Sequence, residues 1–313
     1  MSFDISNLGA YIGNVNANQY ALQAVSEAPF FKLMMSSGNC SFGVKGKEAI
    51  QKISNTITLL DGSVCSRTGG SGVALSQAYI TATQIAEQTD LCAQQLHNTF
   101  YSQSLLQGQS PNEEFVPAFV NAIIGDRSNK IAFANESLMF KGNTAFASGN
   151  LKRIDGVLTQ LTGATYVTSA TSATTVTVQG TDMVSKLQSI FTGSSASVRS
   201  QADYYIFVSQ MVYDEYTLAL GARNIYQATD AKVLFATRAK LYVSPGLNPD
   251  SNTDGRTVFA GRLSDMQAAT DGKSDWESAG VKYSIETYLT YMDFKYALGV
   301  AVIWPNQFAI GKV

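Results

Sequence analysis

A long polar hairpin pattern lies early in the chain and limits how it can fold. The segment "ISNTITLL", which begins at Ile53, is followed by the glycine-rich "DGSVCSRTGGSG" and then by "VALSQAYITATQIA", with β-branched residues at alternating positions. This pattern predicts two strands joined by a tip. Both faces are rich in Thr, Ser, Ala and Gln, and an isolated two-stranded ribbon is only marginally stable in water. The hairpin therefore needs a further surface, from this chain or from another.

The composition favours a chain that associates with itself. Only 15% of the 313 residues are charged and the formal net charge is -2, whereas roughly a quarter of the residues of an ordinary globular protein are charged. A surface with so little repulsive charge does little to keep copies apart. Because the chain is not basic, the sequence shows no face that would grip nucleic acid through many phosphate contacts.

Targeting signals and disulfides are not indicated. No apolar run approaches the roughly 18 residues of a membrane span, and the N-terminus does not read as a secretory signal. The cysteines are odd in number and far apart in sequence, at Cys40, Cys65 and Cys92, which favours free thiols in a reducing compartment. We therefore expect a soluble protein that is made in the cytosol.

The middle of the chain predicts a long helix. Apolar residues recur at helical spacing as far as Phe140. The segment "SPNE" at 110–113 has the form of a capping box, while Pro117 implies either a kink or the true start of the helix. Gly125 costs about 1 kcal/mol relative to alanine at a helical position.

A separate helix is expected over 90–106, and residues 1–47 read as polar and irregular.

The second half predicts an α+β block. A helix with Thr181 as its N-cap ends near Gly193, and a second helix follows the strand "YYIFVS" and runs to Gly221. Further strands are expected at "AKLYVS", "RTVFAG" and "VKYSIETYLTYMDF", with a turn at "SPGLNPD". The apolar end of the chain, "YALGVAVIWPNQFAI", reads as a buried strand.

Residues with catalytic or metal-binding chemistry form no recognisable motif. His97 is the only histidine, and no Gly-x-Ser-x-Gly elbow accompanies it. A zinc site built from His97 and the cysteines would lack the Cys-x-x-Cys pair. The segment "SRTGGSGVALS" lacks the Gly-Lys-Ser/Thr ending of a phosphate loop and leads into a strand pattern. We therefore expect no catalytic residue, cofactor or metal, and keep a soluble metal-assisted hydrolase using Asp and Glu as the alternative from a different class.

The order of these elements resembles the major capsid protein of tailed double-stranded DNA bacteriophages, the Hong-Kong-type phage capsid fold. In that family a spine helix runs into a Glu, an apolar pair and a Gly, followed by a loop and an Asp-Gly-Leu-like stretch. The segments "NESLMFKGN" and "RIDGVLTQL" match this pattern, and the matching residues are Glu136, Met139, Phe140, Gly142, Asp155 and Gly156. The segments "ADYYIFVSQMVYDEY", "VSPGLNPD" and "RTVFAGRLSDMQAATDG" look like the family's apical domain, and "FKYALGVAVIWPNQFAI" looks like its closing strand.

The resemblance implies an α+β fold with four parts. These are an N-terminal arm (1–47), an extended β-hairpin loop (48–88), a peripheral domain with the long spine helix (89–161 and 291–313) and an apical axial domain (162–290). Inter-subunit contacts are implied in the hairpin tip and in the glycine-containing stretch after the spine helix, at Arg67, Gly69, Gly70, Glu136, Lys141, Arg153 and Asp155.

The function implied by the resemblance is assembly through hexamers and pentamers into an icosahedral shell around double-stranded DNA. Such a protein belongs to the virion, is assembled in the host bacterial cytoplasm and contacts the packaged DNA nonspecifically, without a membrane. Its implied partners are further copies of itself, a portal, and separate scaffolding or decoration proteins where these exist. Since the sequence starts directly with the arm, we expect a separate scaffolding protein or none. An encapsulin compartment, which shares the fold and holds cargo enzymes, is the related alternative.

Overall fold

The computed structural model describes the following parts of the chain: residues 29–59, 72–92, 117–162, 174–223, 232–250, 254–271, 280–284 and 289–313. The α-helices are α1 (Pro29–Ser36), α2 (Pro117–Lys141), α3 (Val157–Thr162), α4 (Met183–Gly193), α5 (Ala196–Arg199) and α6 (Gln210–Ala222). Short 3-10 helices lie at Asn150–Lys152, Pro245–Leu247, Leu263–Asp265 and Pro305–Gln307.

The β-strands form two five-stranded sheets and a separate two-stranded hairpin. The strands are β1 (Cys40–Phe42), β2 (Lys47–Thr56), β3 (Gly72–Thr81), β4 (Thr83–Cys92), β5 (Thr174–Thr175), β6 (Tyr204–Ser209), β7 (Lys240–Ser244), β8 (Thr257–Arg262), β9 (Met266–Thr270), β10 (Gly280–Ser284), β11 (Leu289–Val302) and β12 (Ala309–Lys312). The mixture of helices and sheets confirms the predicted α+β class.

The first sheet is organised around the long strand β11. Strands β4, β9 and β10 all pair with β11 in antiparallel fashion, and β1 adds to β9 in parallel. The second sheet has the order β5, β12, β8, β6, β7. The chain passes directly between the two sheets at two places, from β8 to β9 and from β11 to β12. The hairpin of β2 and β3 stands outside both sheets and continues through Ala82 into β4.

Helix α2 begins at Pro117 and runs through Gly125 to Lys141 without interruption. Of the two alternatives that the proline allowed, the helix start is the one observed. This follows from the chemistry of proline, which lacks an N–H that the first turn does not need and has a φ angle suited to a helix. The last turns of α2 bury Leu138, Met139 and Phe140 in the larger apolar core, together with α1, α3 and residues from both sheets.

The sequence predicted an irregular segment over 1–47. Residues 29–42 instead contain helix α1 and strand β1. Phe30, Phe31 and Met34 of α1 are buried in the larger core. Pro29 opens the helix, and the apolar residues after it are spaced so that they share one face. The eight-residue helix is shorter than the window over which periodicity is read, which explains why the pattern gives no helical signal.

Three other expectations are corrected. The predicted start of a helix at residue 90 is wrong, because residues 90–92 lie in β4 and pair with β11. Residues 93–106 lie outside the described part of the chain. The N-cap of α4 is Asp182, whose Oδ1 accepts the Ser185 amide at 3.1 Å, and not Thr181. The terminal apolar segment is two strands in two sheets, because Pro305 interrupts it with a 3-10 turn.

Other predicted elements of the second half are found, including the strand "YYIFVS" as β6, the helix to Gly221 within α6 and the end of α4 at Gly193. The predicted strand "VKYSIETYLTYMDF" is instead divided between β10 and the start of β11, which pair antiparallel. The division into arm, hairpin loop, peripheral domain and axial domain stays a prediction. The predicted peripheral segment 291–313 contains strands of both sheets: β11 belongs to the first sheet, whereas residues 309–312 of β12 pair with β8 in the second.

Helix α2 and the turn Pro245–Leu247 approach each other through a glycine. A Cβ atom at Gly246 would lie 2.7 Å from the carbonyl carbon and oxygen of Glu136, which is closer than non-bonded atoms can come. Gly246 is therefore needed for close packing and not for an unusual φ angle. The close approach brings the turn that follows β7 of the second sheet against helix α2.

We expect Gly246→Ala to destabilise the chain by about 1–3 kcal/mol, because the added methyl group forces α2 and the turn apart. The free energy of unfolding in urea measures the effect. Gly221→Ala is the matched control, since a Cβ atom there meets nothing within 4 Å and alanine favours the helix. Equal stability of the two variants would contradict the packing role of Gly246.

Candidate assembly site

The hairpin of β2 and β3 has two chemically different faces. In its register Ile53 lies opposite Leu75, Asn55 opposite Val73, and Ala49 opposite Tyr79. Residues directly opposite each other in an antiparallel pair share a face, and successive residues alternate between faces. All the odd-numbered positions of both strands therefore lie together. We call this the odd face, and its large apolar residues are Ile53, Val73, Leu75 and Tyr79.

The odd face is open to solvent in the single chain. Ile53 is 60% exposed, Val73 71%, Leu75 76% and Tyr79 52%. These four apolar residues share the face with polar ones, which include Lys47, Gln51, Asn55 and Gln77, so the overall polar composition of the hairpin conceals them. Ile53, Val73 and Leu75 are neighbours on this face, whereas the Gln51–Gln77 pair separates them from Tyr79. An exposed apolar cluster of this kind is typical of an interaction site.

The even-numbered positions of β2 and β3 form the opposite face, the even face, and part of it packs against the rest of the same chain. Ile50, Lys52 and Ala78 are half-buried and Ile80 is fully buried. The ammonium group of Lys52 lies 4.1 Å from the ring centroid of Trp304, which is a cation–π contact. These contacts fix which face of the hairpin points towards its own chain, and so leave the odd face pointing away from it.

Residues 60–71 of the hairpin tip lie outside the described part of the chain. The predicted inter-subunit residues Arg67, Gly69 and Gly70 belong to this tip, and their role stays a prediction.

Glu136 of helix α2 is buried, with 0% of its surface exposed. Its Oε2 accepts the backbone N–H of Phe30 at 2.9 Å, and its Oε1 accepts the hydroxyl of Ser244 at 2.6 Å. The hydroxyl of Tyr242 lies 3.4 Å from the same Oε1. Burial raises the pKa of Glu136, while these hydrogen bonds act to lower it. The pKa of Tyr242 is raised by its own burial and by the adjacent carboxylate.

The hydrogen bonds of Glu136 join three separate segments of the chain. The Phe30 amide lies in the first turn of α1, where a helix leaves its N–H groups without internal partners and favours negative charge. Ser244 ends strand β7 of the second sheet and also accepts the amide of Gly246 at 3.0 Å. We call this group of residues the Glu136 junction; its members are Phe30, Glu136, Tyr242, Ser244 and Gly246.

Lys141 binds the C-terminal end of α2 to the loop after the turn Pro245–Leu247. Its Nζ lies 2.5 Å from Asp250 Oδ2 and donates to the carbonyl of Asn248 at 2.9 Å. The Lys141 side chain is buried, and a cation at the last turn of a helix is favoured by the helix dipole. Glu136 and Lys141 therefore both hold α2 against the segment 242–250.

The loop after α2 is closed by glycines and by Asp155. The Asp155 carboxylate accepts the backbone N–H and the hydroxyl of Thr144 at 2.8 and 2.9 Å. The amide of Gly156 donates to the carbonyl of Gly142 at 2.8 Å, and a Cβ atom at Gly156 would lie 2.7 Å from the Phe140 carbonyl. The charged and glycine-rich stretch is thus a tightly packed turn.

The predicted contact residues of this stretch therefore separate into two environments. Glu136 and Lys141 are buried and bind partners within the chain, whereas Arg153 and Asp155 are exposed. That any of the four contacts a neighbouring subunit stays a prediction.

The described residues contain no group of three or more His, Cys, Asp or Glu side chains that could hold a metal ion. Cys40 is a free thiol whose pKa burial raises to about 11, which keeps it protonated at neutral pH. His97 and Cys65 lie outside the described part. Across the described ranges, no helix combines the length and the apolar character needed to cross a membrane.

We expect Glu136→Ala to destabilise the chain by about 2–4 kcal/mol, because the Phe30 amide and the Ser244 hydroxyl lose their acceptor inside the protein. The urea concentration at the unfolding midpoint measures this. Glu48→Ala removes an exposed Glu from the hairpin and should leave the midpoint unchanged. A Glu136→Ala chain with the wild-type midpoint would show that the junction carries little stability.

Comparison with known proteins by sequence gives no match: no family model matches the chain, and no curated protein does. Comparison by structure does give matches. The chain is similar to the satellite phage P4 procapsid, with a TM-score of 0.53 and 11% identity over 94% of this chain and 90% of that one. It is also similar to the capsid of the Myoviridae phage XM1, with a TM-score of 0.51 and 11% identity over 90% of this chain and 91% of that one.

A third similar structure is the virus-like particle from Pyrococcus furiosus, with a TM-score of 0.51 and 9% identity over 95% of this chain and 98% of that one. The matches cover nearly the whole chain and not a single domain. At identities this low they establish the fold: the chain has the α+β fold of phage capsid proteins, as the order of its sequence elements predicted.

Proposed function

We propose that the chain is the major capsid protein of a tailed phage, which assembles through hexamers and pentamers into an icosahedral shell around double-stranded DNA. The observation that carries this proposal is the odd face of the hairpin. It is an exposed apolar surface, on an element that cannot bury that surface itself, in a chain with the fold of phage capsid proteins.

Burial of the odd face against another copy supplies the missing surface. Fully burying one side chain of the size of Val, Leu or Ile contributes about 1.5–3 kcal/mol. The odd face offers several such side chains per copy, and every copy in a shell makes the contact once. The face of one subunit meets a different surface of its neighbour, so the contact is heterologous and can close into rings of five and six.

The remaining parts of the proposal follow from the same assembly. The protein would reside in the virion and be assembled in the host bacterial cytoplasm, with a portal and with separate scaffolding or decoration proteins where these exist. A chain with a net charge of -2 would touch packaged DNA only nonspecifically, because it has no excess of basic residues to bind many phosphates.

A compartment that encloses protein cargo in place of a genome is the second candidate. It is supported by the similarity to the Pyrococcus furiosus virus-like particle, 98% of whose chain is covered. The contents of particles purified from the native source distinguish the two candidates. Nuclease-protected DNA of uniform length supports the phage capsid, whereas a co-purifying enzyme and no DNA supports the compartment.

The direct test of assembly is negative-stain electron microscopy of the purified chain expressed alone, with size-exclusion chromatography alongside. Closed shells, tubes or rings of five and six subunits support either shell-forming candidate. A chain that stays monomeric across protein and salt concentrations, also when its candidate scaffolding protein is present, would contradict both and favour the hydrolase alternative.

We expect Leu75→Lys to abolish shells and rings while leaving the stability of the single chain unchanged, because the lysine places a charge among the exposed apolar residues of the odd face. Electron microscopy and the urea midpoint measure the two properties. Ala74→Lys is the matched control: it adds the same charge at the neighbouring exposed position, which faces the other way. Assembly that is equally affected in both variants would show that net charge, and not the odd face, is responsible.

A further inference from the structure

The two direct connections between the sheets are bonded to each other. The connection from β8 to β9 is the 3-10 turn Leu263–Asp265, and the connection from β11 to β12 begins at Ile303. The amide of Ile303 donates to the carbonyl of Asp265 at 2.7 Å. We call this pair of connections the joint. Because both direct connections meet there, any change in the angle between the two sheets has to be accommodated at the joint.

The joint contains a buried acid. Asp265 is only 4% exposed, and its Oδ2 has no hydrogen-bond partner among the described residues. A buried polar atom without a partner is uncommon in folded proteins and costs stability, more so when the group is charged. Burial therefore destabilises the carboxylate relative to the neutral acid and raises the pKa of Asp265.

Two charged side chains act on Asp265, Arg262 from β8 and Asp203 from the turn before β6. Arg262 is engaged elsewhere, since its Nε lies 3.2 Å from Asp203 Oδ1 in a salt bridge. Asp203 is held in place by Ser264, whose hydroxyl donates to Asp203 Oδ2 at 2.6 Å. The opposite connection contributes Ile303 and Trp304, neither of which titrates near neutral pH. The nearest cation is thus paired with a different acid.

We propose that the joint is a pH-sensitive element, in which the charge on the Asp265 carboxyl loosens the contact between the two connections and its protonation tightens it. The element is a property of the folded chain, whether or not the chain assembles. The quantity that changes with pH is the equilibrium constant for opening the contact between the two connections. Arg262 and Asp203 are the other charged groups that act there.

The sign and size of the effect follow from linkage between protonation and opening. Burial raises the pKa of Asp265 from 3.8 to about 6. In the opened joint the carboxyl has its ordinary pKa and loses its proton first as the pH rises. The closed joint therefore has its full stability below about pH 4 and loses stability as the pH rises through about 6. Between about pH 5 and about pH 7 the opening constant should increase about tenfold.

The test is hydrogen exchange followed by mass spectrometry on the full chain, in the wild type and in Asp265→Asn, at about pH 5 and about pH 7. After correction for the intrinsic effect of pH on exchange, the wild-type peptide that contains Ile303 should open about tenfold more readily at the higher pH. The amide side chain of the D265N variant does not titrate, so opening of the same peptide in that variant should be equal at both pH values.

Asp214→Asn is the control, since it removes an exposed acid of α6 and should retain the wild-type change. A D265N chain that keeps the tenfold change overturns the proposal. So does a wild-type chain without that change. Should D265N fail to fold, the wild type decides alone: a change in the Ile303 peptide that exceeds the change in the β6 peptide supports the joint, and an equal change in both overturns it.

Discussion

Burial of the Glu136 carboxylate is possible only because two other segments of the chain, α1 and β7, donate hydrogen bonds to it. An isolated carboxylate inside a protein would cost far more than a domain can spare. The amide of Phe30 and the hydroxyl of Ser244 offset that cost, and each comes from a segment distant in sequence. Helices α1 and α2 and the second sheet must therefore all be in place before the carboxylate is satisfied. The junction makes their relative positions specific, since any other arrangement would leave a buried charge without donors.

The hairpin presents the opposite situation, in which a surface is made and left without a partner. Its even face is fixed to the body by Ile80 and by the contact of Lys52 with Trp304. That attachment orients the odd face outward, so the exposed apolar residues are a consequence of how the hairpin is held. Pre-orientation of this kind favours association, because less conformational freedom is lost when the face is buried.

Local patterns in the sequence were sufficient to predict the hairpin, the long helix α2, the strand–helix succession from β6 to α6 and the α+β class. Each depends on the spacing of apolar residues or on turn residues within one segment. The burial of Glu136 and Lys141 was not predictable in this way, because charged residues are exposed unless tertiary partners surround them. The role of Gly246 depends on a backbone that is far away in the sequence, and local sequence contains no signal for it. Helix α1 is too short to give a periodic signal.

Two buried acids lie where separate parts of the chain meet. Glu136 joins α1 and α2 to the second sheet through hydrogen bonds, and Asp265 lies in a direct connection between the two sheets. They differ in one respect that decides their behaviour. Glu136 has donors for both oxygens, whereas Oδ2 of Asp265 has none among the described residues. A satisfied buried acid fixes the arrangement around it, and an unsatisfied one raises the free energy of that arrangement when it is charged. Glu136 therefore holds α2 against the second sheet, and at the proposed joint the protonation of Asp265 acts on the connection between the two sheets.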